Sequence, residues 1–431
     1  MNKLLCFIVS LCCCFSSAYS MRTQIIFWHS MAGQLGEEVR VLTEAFNDTQ
    51  NEFEVIALYK GNYVETMTSF AAAFKAKRAP ALVQIFEAGT AIMHAPAGVI
   101  KPVADLVLEQ NLTLPTHDFL PSIRDYYSYQ GKLQAFPFNI SVPLMYYNAE
   151  VLAQLGYAPE NFPRTWSELA SLVLRINKAG YRCSYTSAYP GWILLESFMA
   201  IHGLPLLQGT PPQAALDTPQ LLHHLQRLKT WQDHHYYRYA GRVDDATILF
   251  TSGVCPLFSQ SSGAYNSLQQ IAPFKLGIAR MPLDTDISTV RHANITGGAA
   301  LWVVSGKSAA EYRGIALFLS FLSKPEIQQQ WHERTGYLPV GIYGIYSGIL
   351  RAHKHPGLLI AEQDLNEKSK NTFAMTVPQN QVRMLMDELL EAMFAGLISP
   401  ETMLRDAQLR IDRLLKRFLM NTGESHEPKR L

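Results

Sequence analysis

Three groups of residues have types and spacings that could support catalysis or metal binding. The segment 305–308 (SGKS) ends like a phosphate-binding Walker loop, but Leu301 stands where that loop requires a glycine. The segment 259–263 (SQSSG) resembles a nucleophile elbow that has serine in place of its first glycine. The histidine pairs at 223–224 and 234–235 lack HExxH spacing, and the neighbouring leucines favour a solvated helix face over a metal site. We therefore predict no catalytic residue, no metal and no cofactor.

A different set of short segments is rich in glycine, serine and aromatic residues and lies outside the helical patterns. Each segment alone is compatible with an ordinary turn or with packing residues. Together they supply hydroxyl groups, close backbone approach and aromatic faces, which are the groups that line small-molecule clefts. The segments are 59–63 (YKGNY), 86–90 (FEAGT), 137–141 (PFNIS), 189–192 (YPGW), 261–263 (SSG), 297–299 (GGA) and 335–339 (TGYLP).

The elements that must position these segments alternate between strand and helix patterns. Residues 24–28 and 53–59 are β-rich, and 81–86 is a third apolar run. Apolar residues at helical spacing separate them, from Leu35 to Phe46 and from Met67 to Phe74. This alternation predicts an α/β fold with a mostly parallel sheet.

Helix start signals continue the pattern downstream. Residues 165–168 (TWSE) form a capping-box sequence, and 323–326 (SKPE) repeats that signal. Ser399-Pro400 predicts an N-cap followed by proline at the first helical position. The last helix is predicted from an apolar stripe that runs from Leu404 to Phe418.

Composition limits the classes of protein to consider. The chain has 431 residues, of which 48% are hydrophobic and 17% charged, so it can form substantial cores and is too weakly charged to be disordered. Its 37 basic and 36 acidic residues give a net charge of +1. That balance argues against a nucleic-acid binder. The length predicts two or three domains, or one large two-lobed body.

The first twenty residues have the pattern of a secretory signal peptide. A positive start is followed by an apolar run from Leu4 to Phe15 and by small residues at the positions preceding cleavage after Ser20. Elsewhere no apolar stretch reaches the roughly 18 residues needed to span a bilayer. We expect a soluble, exported, periplasmic protein.

Two cysteines remain after such cleavage, Cys183 and Cys255. In an oxidising compartment they could form a disulfide. They could equally be two buried thiols, because sequence does not give their separation.

Five blocks in one order carry a resemblance to a known family: FWHS (27–30), YKGNY (59–63), GGAALWV (297–303), WHERTGYLP (331–339) and PQNQVRMLMDELLE (378–391). The chain resembles the extracytoplasmic solute-binding proteins of ABC importers, and among them those that bind glycerol 3-phosphate. The resemblance runs from residue 23 to about residue 418. It implies an α/β, two-lobed periplasmic-binding-protein fold with a ligand cleft between the lobes.

The resemblance also implies the ligand contacts. An arginine fork, hydroxyl groups and a glycine N–H would hold phosphate oxygens, a carboxylate would accept glycerol hydroxyls, and two aromatic rings would pack against the carbon skeleton. Taken singly, each residue is also compatible with a structural role. The implied contacts are Tyr63, Glu87, Ser141, Tyr189, Trp192, Ser261, Gly298, Tyr337 and Arg383.

The lobes implied by the family are interwoven in sequence. We predict a signal peptide at 1–20, a first lobe at 21–136 that returns at 286–337, and a second lobe at 137–285 that returns as C-terminal helices at 338–420. Residues 421–431 are predicted to be a frayed tail. The chain is expected to cross between lobes near 136–141, 281–293 and 337–340.

The leading hypothesis is therefore a non-enzymatic receptor for a small phosphate ester, either glycerol 3-phosphate or a glycerophosphodiester such as glycerophosphocholine. Its implied partners are an inner-membrane ABC permease and that permease's cytoplasmic ATPase, and the receptor itself is expected to be a monomer. One alternative is a receptor for a neutral oligosaccharide. A secreted phosphodiester hydrolase is a further alternative, although no metal cluster or activated nucleophile is visible.

Overall fold

The computed structural model describes residues 21–341, 356–367 and 377–422. The predicted signal peptide lies outside these residues, as does the predicted tail beyond Thr422. Among the described residues, no helix is both long and apolar enough to cross a membrane.

The strands form two main sheets, each with helices packed around it. The first sheet has the order β2-β1-β3-β13-β6 and the second β12-β7-β11-β8, while β4–β5 and β9–β10 are small separate pairs. The strands are β1 Thr23–His29, β2 Phe53–Tyr59, β3 Leu82–Phe86, β4 Ser128–Tyr129, β5 Lys132–Leu133, β6 Phe136–Ser141, β7 Pro143–Asn148, β8 Tyr185–Ser187, β9 Leu207–Gln208, β10 Gln213–Ala214, β11 Leu257–Ser261, β12 Leu276–Arg280 and β13 Gly297–Val303.

The first sheet is mixed, so the prediction of a mostly parallel sheet holds only for its first three strands. β1 pairs in parallel with β2 and β3. β13 enters from far along the chain and runs antiparallel to both β3 and β6. The α/β fold class itself is confirmed.

The second sheet is also mixed, and its first strand in the chain follows directly after β6 of the first sheet. β6 ends at Ser141 and β7 starts at Pro143, so Val142 links the two sheets. β7 is antiparallel to β11 and β12, and β11 is parallel to β8. The lobe ranges given above stay predictions.

Helices cover the faces of both sheets. They are α1 Gly33–Asn47, α2 Tyr63–Lys75, α3 Thr90–His94, α4 Val103–Glu109, α5 Pro121–Tyr126, α6 Ala149–Gln154, α7 Trp166–Lys178, α8 Ser197–Ile201, α9 Pro219–Asp233, α10 Thr247–Thr251, α11 Tyr265–Ile271, α12 Ala309–Leu322, α13 Pro325–Thr335, α14 Pro356–Asn366, α15 Gln379–Phe394 and α16 Pro400–Thr422. One buried cluster includes Phe27, Trp302 and Leu319. A second includes Trp166 and Leu390.

Two of the three predicted helix starts form as the sequence indicates. The Thr165 side chain accepts a bond from the Glu168 N–H, and the Glu168 side chain accepts one from the Thr165 N–H, which completes the capping box. α16 starts at Pro400, and the Ser399 hydroxyl accepts a bond from the Thr402 N–H. The third start is wrong in detail, because Lys324 is the N-cap of α13 and makes no side-chain capping bond.

The sulfur atoms of Cys183 and Cys255 are bonded in the structure, 2.00 Å apart. Each cysteine lies two residues before a strand, β8 and β11 respectively, and these strands are parallel neighbours. The bond therefore joins the entrances of two adjacent strands across 72 residues of sequence.

Candidate functional site

Polar residues meet where three strands of the first sheet share one edge. Glu87 directly follows β3, and Ser141 is the last residue of β6. Because β13 runs antiparallel to both strands, its first residues, Gly297 and Gly298, lie at the same edge. Tyr63, the first residue of α2, joins them by stacking on Phe86 with ring centroids 5.4 Å apart.

The second sheet contributes the facing residues. Tyr189 and Trp192 follow β8, and Ser261 ends β11. Gly191–Glu196 forms a π-helical turn, an uncommon conformation that often occurs at functional sites. Arg383 projects from α15, where Val382 and Leu385 beside it belong to the second hydrophobic cluster.

One group of side chains links Tyr63 to Tyr337. The Asn139 amide nitrogen donates to the Tyr63 hydroxyl at 2.9 Å. The Tyr337 phenol lies close to both of these side chains. Its ring also packs on Gly263, where a Cβ would fall 2.6 Å from a ring carbon, and the Gly263 N–H donates to the Ser261 hydroxyl.

Trp192 and Ser141 meet at the start of β13. A Cβ on Gly297 would lie 2.3 Å from the Trp192 ring and 3.1 Å from the Ser141 hydroxyl oxygen, so both side chains contact this glycine. Tyr189 lies edge-on to Trp192, with ring centroids 6.4 Å apart. All nine residues implied by the resemblance therefore lie in or directly beside one cluster between the two sheets.

Arg383 contacts that cluster through Glu87 and is shared between two carboxylates. Its Nε and Nη2 donate to the two oxygens of Glu196 at 2.8 and 2.7 Å. Its Nη1 donates to Glu87 at 2.6 Å. The side chains of both acids are 5% exposed and that of Arg383 is 14% exposed. The ion pair with Glu87 joins the edge of the first sheet to a helix of the second cluster.

Burial and charge oppose each other in this group. Burial raises the pKa of the Glu87 carboxyl, and the adjacent Arg383 guanidinium limits that rise. Burial alone would lower the pKa of Arg383, but Glu196 and Glu87 raise it well above its ordinary value. Burial also raises the pKa values of Tyr63 and Tyr337, so both phenols are neutral hydrogen-bonding groups at ordinary pH.

A family model for bacterial extracellular solute-binding proteins matches residues 42–341. The chain is also 36% identical to the sn-glycerol-3-phosphate-binding periplasmic protein UgpB of Yersinia pseudotuberculosis, over 95% of this chain and 97% of the relative. The chain belongs to the bacterial extracellular solute-binding proteins. The Salmonella typhimurium protein of the same name is likewise 36% identical, over 92% and 93% of the two chains. This is a family of binding proteins and not of enzymes.

Solved structures agree with this membership at the level of the fold. UgpB of Mycobacterium tuberculosis, solved in complex with glycerophosphocholine, matches with a TM-score of 0.80 at 22% identity, covering 92% of this chain and 99% of that chain. The acarbose receptor GacH of Streptomyces glaucescens matches with a TM-score of 0.79 at 18% identity and the same coverage. The periplasmic-binding-protein fold predicted from the sequence is thus confirmed.

Several side chains in the cluster of this solute-binding protein were not foreseen from its sequence. Glu196 bonds to Arg383, and Asn139 bonds to Tyr63. Gln379 donates to Glu196, and Asp387 accepts from the Gly191 N–H. Glu196 had a usable signal, because it is a single carboxylate within the apolar run 193–198 (ILLESF) and a charge there needs a partner. Gln379 and Asp387 lie four residues either side of Arg383, on the same helix face.

The prediction that the first histidine pair lies on a solvated helix face was wrong for His224. That side chain is fully buried, stacks on Phe198 and hydrogen-bonds to the Leu194 carbonyl. Burial lowers its pKa well below the ordinary value, so it is a neutral core residue. The described residues contain no group of three or more metal-ligating side chains.

Asp387 gives a prediction about pH. Burial raises the pKa of its carboxyl to about 7, although the Arg383 charge and a 2.9 Å bond from the Gly191 N–H oppose the rise. The folded state therefore binds a proton between pH 4 and 7 that the unfolded chain has lost, so ionised Asp387 destabilises the fold as pH rises. The Asp387→Asn variant should gain free energy of unfolding relative to wild type as pH rises through this window. Urea unfolding from pH 4 to pH 8 measures it.

Glu388 is the matched control on the same helix. Arg410 lowers the pKa of its carboxyl, which is the opposite direction. Glu388→Gln should therefore lose stability relative to wild type as pH rises above about 4. If the stabilities of both variants relative to wild type changed in the same direction with pH, the raised pKa of Asp387 would be contradicted.

Proposed function

We propose that this solute-binding protein captures glycerol 3-phosphate and glycerophosphodiesters, such as glycerophosphocholine, for uptake. The main support is the buried guanidinium of Arg383 beside the strand ends of the first sheet. A guanidinium presents N–H groups in a planar fork that matches phosphate oxygens. The names of the relatives that are 36% identical point to the same ligand class.

The other side chains of the cluster suit the rest of such a ligand. The hydroxyls of Tyr63, Ser141, Ser261 and Tyr337 are expected to complete the hydrogen bonds of the phosphate oxygens, together with the Gly298 N–H. Glu87 accepts hydrogen bonds and therefore belongs at the glycerol end.

Two aromatic residues complete the proposed set of contacts. Tyr189 and Trp192 would cover the carbon skeleton of the glycerol unit. The Trp192 Nε1–H is buried and has no hydrogen-bond partner among the described residues. It can serve as one more donor to a ligand oxygen.

The proposal includes a place in the cell and a partner. Cleavage after Ser20 would release the protein into the periplasm, where it would deliver the ligand as a monomer to an inner-membrane ABC permease and its ATPase. Intact-mass analysis of the exported protein and its sedimentation in solution test these two points. A retained leader, or a stable dimer, would contradict them.

Thermal unfolding of the mature wild-type protein tests the ligand class. Glycerol 3-phosphate or glycerophosphocholine at a hundred times its dissociation constant should stabilise the fold by about 2.7 kcal/mol. Glycerol 2-phosphate reports on recognition of the glycerol unit, and maltose is the uncharged control. A response to maltose with none to either glycerophosphate ligand would replace this proposal with the oligosaccharide alternative.

A further inference from the structure

Glu196 holds Arg383 from within the same half of the molecule. Both oxygens of its carboxylate accept bonds from Arg383, through Nε and Nη2, in a two-pronged arrangement. The Gln379 amide donates to the same carboxylate at 2.9 Å. The π-helical turn that carries Glu196 packs directly on α15, so this pairing does not depend on contact with the first sheet.

This pairing limits how many N–H groups the guanidinium can donate to a ligand. Arginine has five N–H donors, and Glu196 and Glu87 together occupy three nitrogens with one bond each. Two donors, one each on Nη1 and Nη2, remain for a ligand. When both carboxyls are ionised, the two acids and one guanidinium carry a net charge of −1.

One further acid lies beside the group. Asp387 is one turn along α15 from Arg383 and accepts a hydrogen bond from the Gly191 N–H. With a pKa of about 7, its carboxyl is mostly ionised at pH 8. Such a site penalises each additional negative charge on a ligand, because charges interact strongly where water is excluded.

We propose that Glu196 determines which charge state of phosphate ester this site accepts. By cancelling the charge of Arg383 while keeping its donors aligned, Glu196 favours a phosphodiester, which carries one negative charge, over a phosphomonoester, which carries nearly two. The inference rests on the proposed function and adds a rank order to it.

The test compares two ligands that differ in charge and share the glycerophosphate unit. Glycerol 3-phosphate is the monoester, and glycerophosphoglycerol is a diester whose second group is uncharged. Calorimetric titration at pH 8 and fixed salt gives both dissociation constants. The wild type should bind the diester more tightly, and Glu196→Gln should shift the ratio of the two constants toward the monoester by about tenfold.

Two variants separate charge from positioning. Glu196→Asp keeps the charge and should keep the wild-type preference even where both affinities fall. Glu391→Gln removes a half-exposed carboxylate on the same helix that pairs with Arg242, and it should leave the ratio unchanged. Far-UV circular dichroism checks that each variant is folded.

The outcomes are distinct. If the wild type prefers the monoester, the inference is wrong. It is also wrong if the ratio of the two dissociation constants is the same in Glu196→Gln as in wild type. A wild type that binds neither ligand contradicts the proposed function instead.

Discussion

The Arg383→Ala variant is expected to bind glycerol 3-phosphate at least about a hundredfold more weakly than wild type, because truncating a buried, hydrogen-bonded charge costs several kcal/mol. The ligand loses its planar donors, and Glu87 and Glu196 are left facing it without a counter-charge. Calorimetric titration measures the loss. A neutral sugar that bound in the same cleft would lose little affinity. The variant therefore also distinguishes the phosphate-ester hypothesis from the oligosaccharide alternative.

The same substitution should destabilise the unliganded fold by roughly 3–5 kcal/mol, since it removes one partner of a buried ion pair. The pKa of Glu87, already raised by burial, would rise further without the guanidinium. The deficit should therefore shrink as pH falls and the carboxyl takes up a proton.

Arg410→Ala is the matched control for Arg383→Ala. Arg410 also pairs with a glutamate through two nitrogens, but that pair is about half exposed. Exposed pairs contribute about 1 kcal/mol or less, so this variant should keep near-normal stability and unchanged affinity. Equal thermal shifts on adding ligand to Arg383→Ala and to wild type would contradict a role for Arg383 in binding.

Local patterns predicted the first elements of the fold well. β2 spans the predicted 53–59, and the stripe from Leu35 to Phe46 lies within α1. Such patterns report which face of an element is buried, and they say little about which strand pairs with which. The antiparallel entry of β13 between β3 and β6 joins segments more than 150 residues apart, and no local signal specifies that pairing.

The candidate site could be predicted where a residue lies in or beside a turn with a recognisable sequence. Tyr63 and Tyr337 occur in the YKGNY and TGYLP blocks that resemble the family. Glu196 lies in an apolar stretch, and its partner Arg383 is 187 positions away. The role of Glu196 follows from its contact with Arg383, and the sequence around either residue does not predict that contact. The prediction for His224 was wrong for a related reason. The histidines of α9 suggested that this face of the helix is solvated, but other parts of the chain cover it.

Gly298→Ala is the second substitution with a large expected effect. Gly298 has φ of +96°, where a residue with a Cβ is strained. The added Cβ would also lie 1.6 Å from the carbonyl oxygen of Asn139 on the neighbouring strand β6. Backbone cannot rotate away as a side chain can, so the strands must separate at the edge that carries Ser141. We expect the variant to lose roughly 3 kcal/mol or more of stability in urea unfolding.

Gly306→Ala separates the two causes of that loss. Gly306 has a similar positive φ of +77°, but nothing lies within 4 Å of the position that its Cβ would occupy. Its substitution should cost only the conformational strain, about 1–2 kcal/mol. The excess in Gly298→Ala is then the cost of separating β13 from β6. Because that separation displaces Ser141 and the Gly298 N–H, the variant should also bind ligand more weakly, whereas Gly306→Ala should bind normally. Equal losses of stability in the two variants would mean that the close approach of β13 to Asn139 does not constrain this edge of the site.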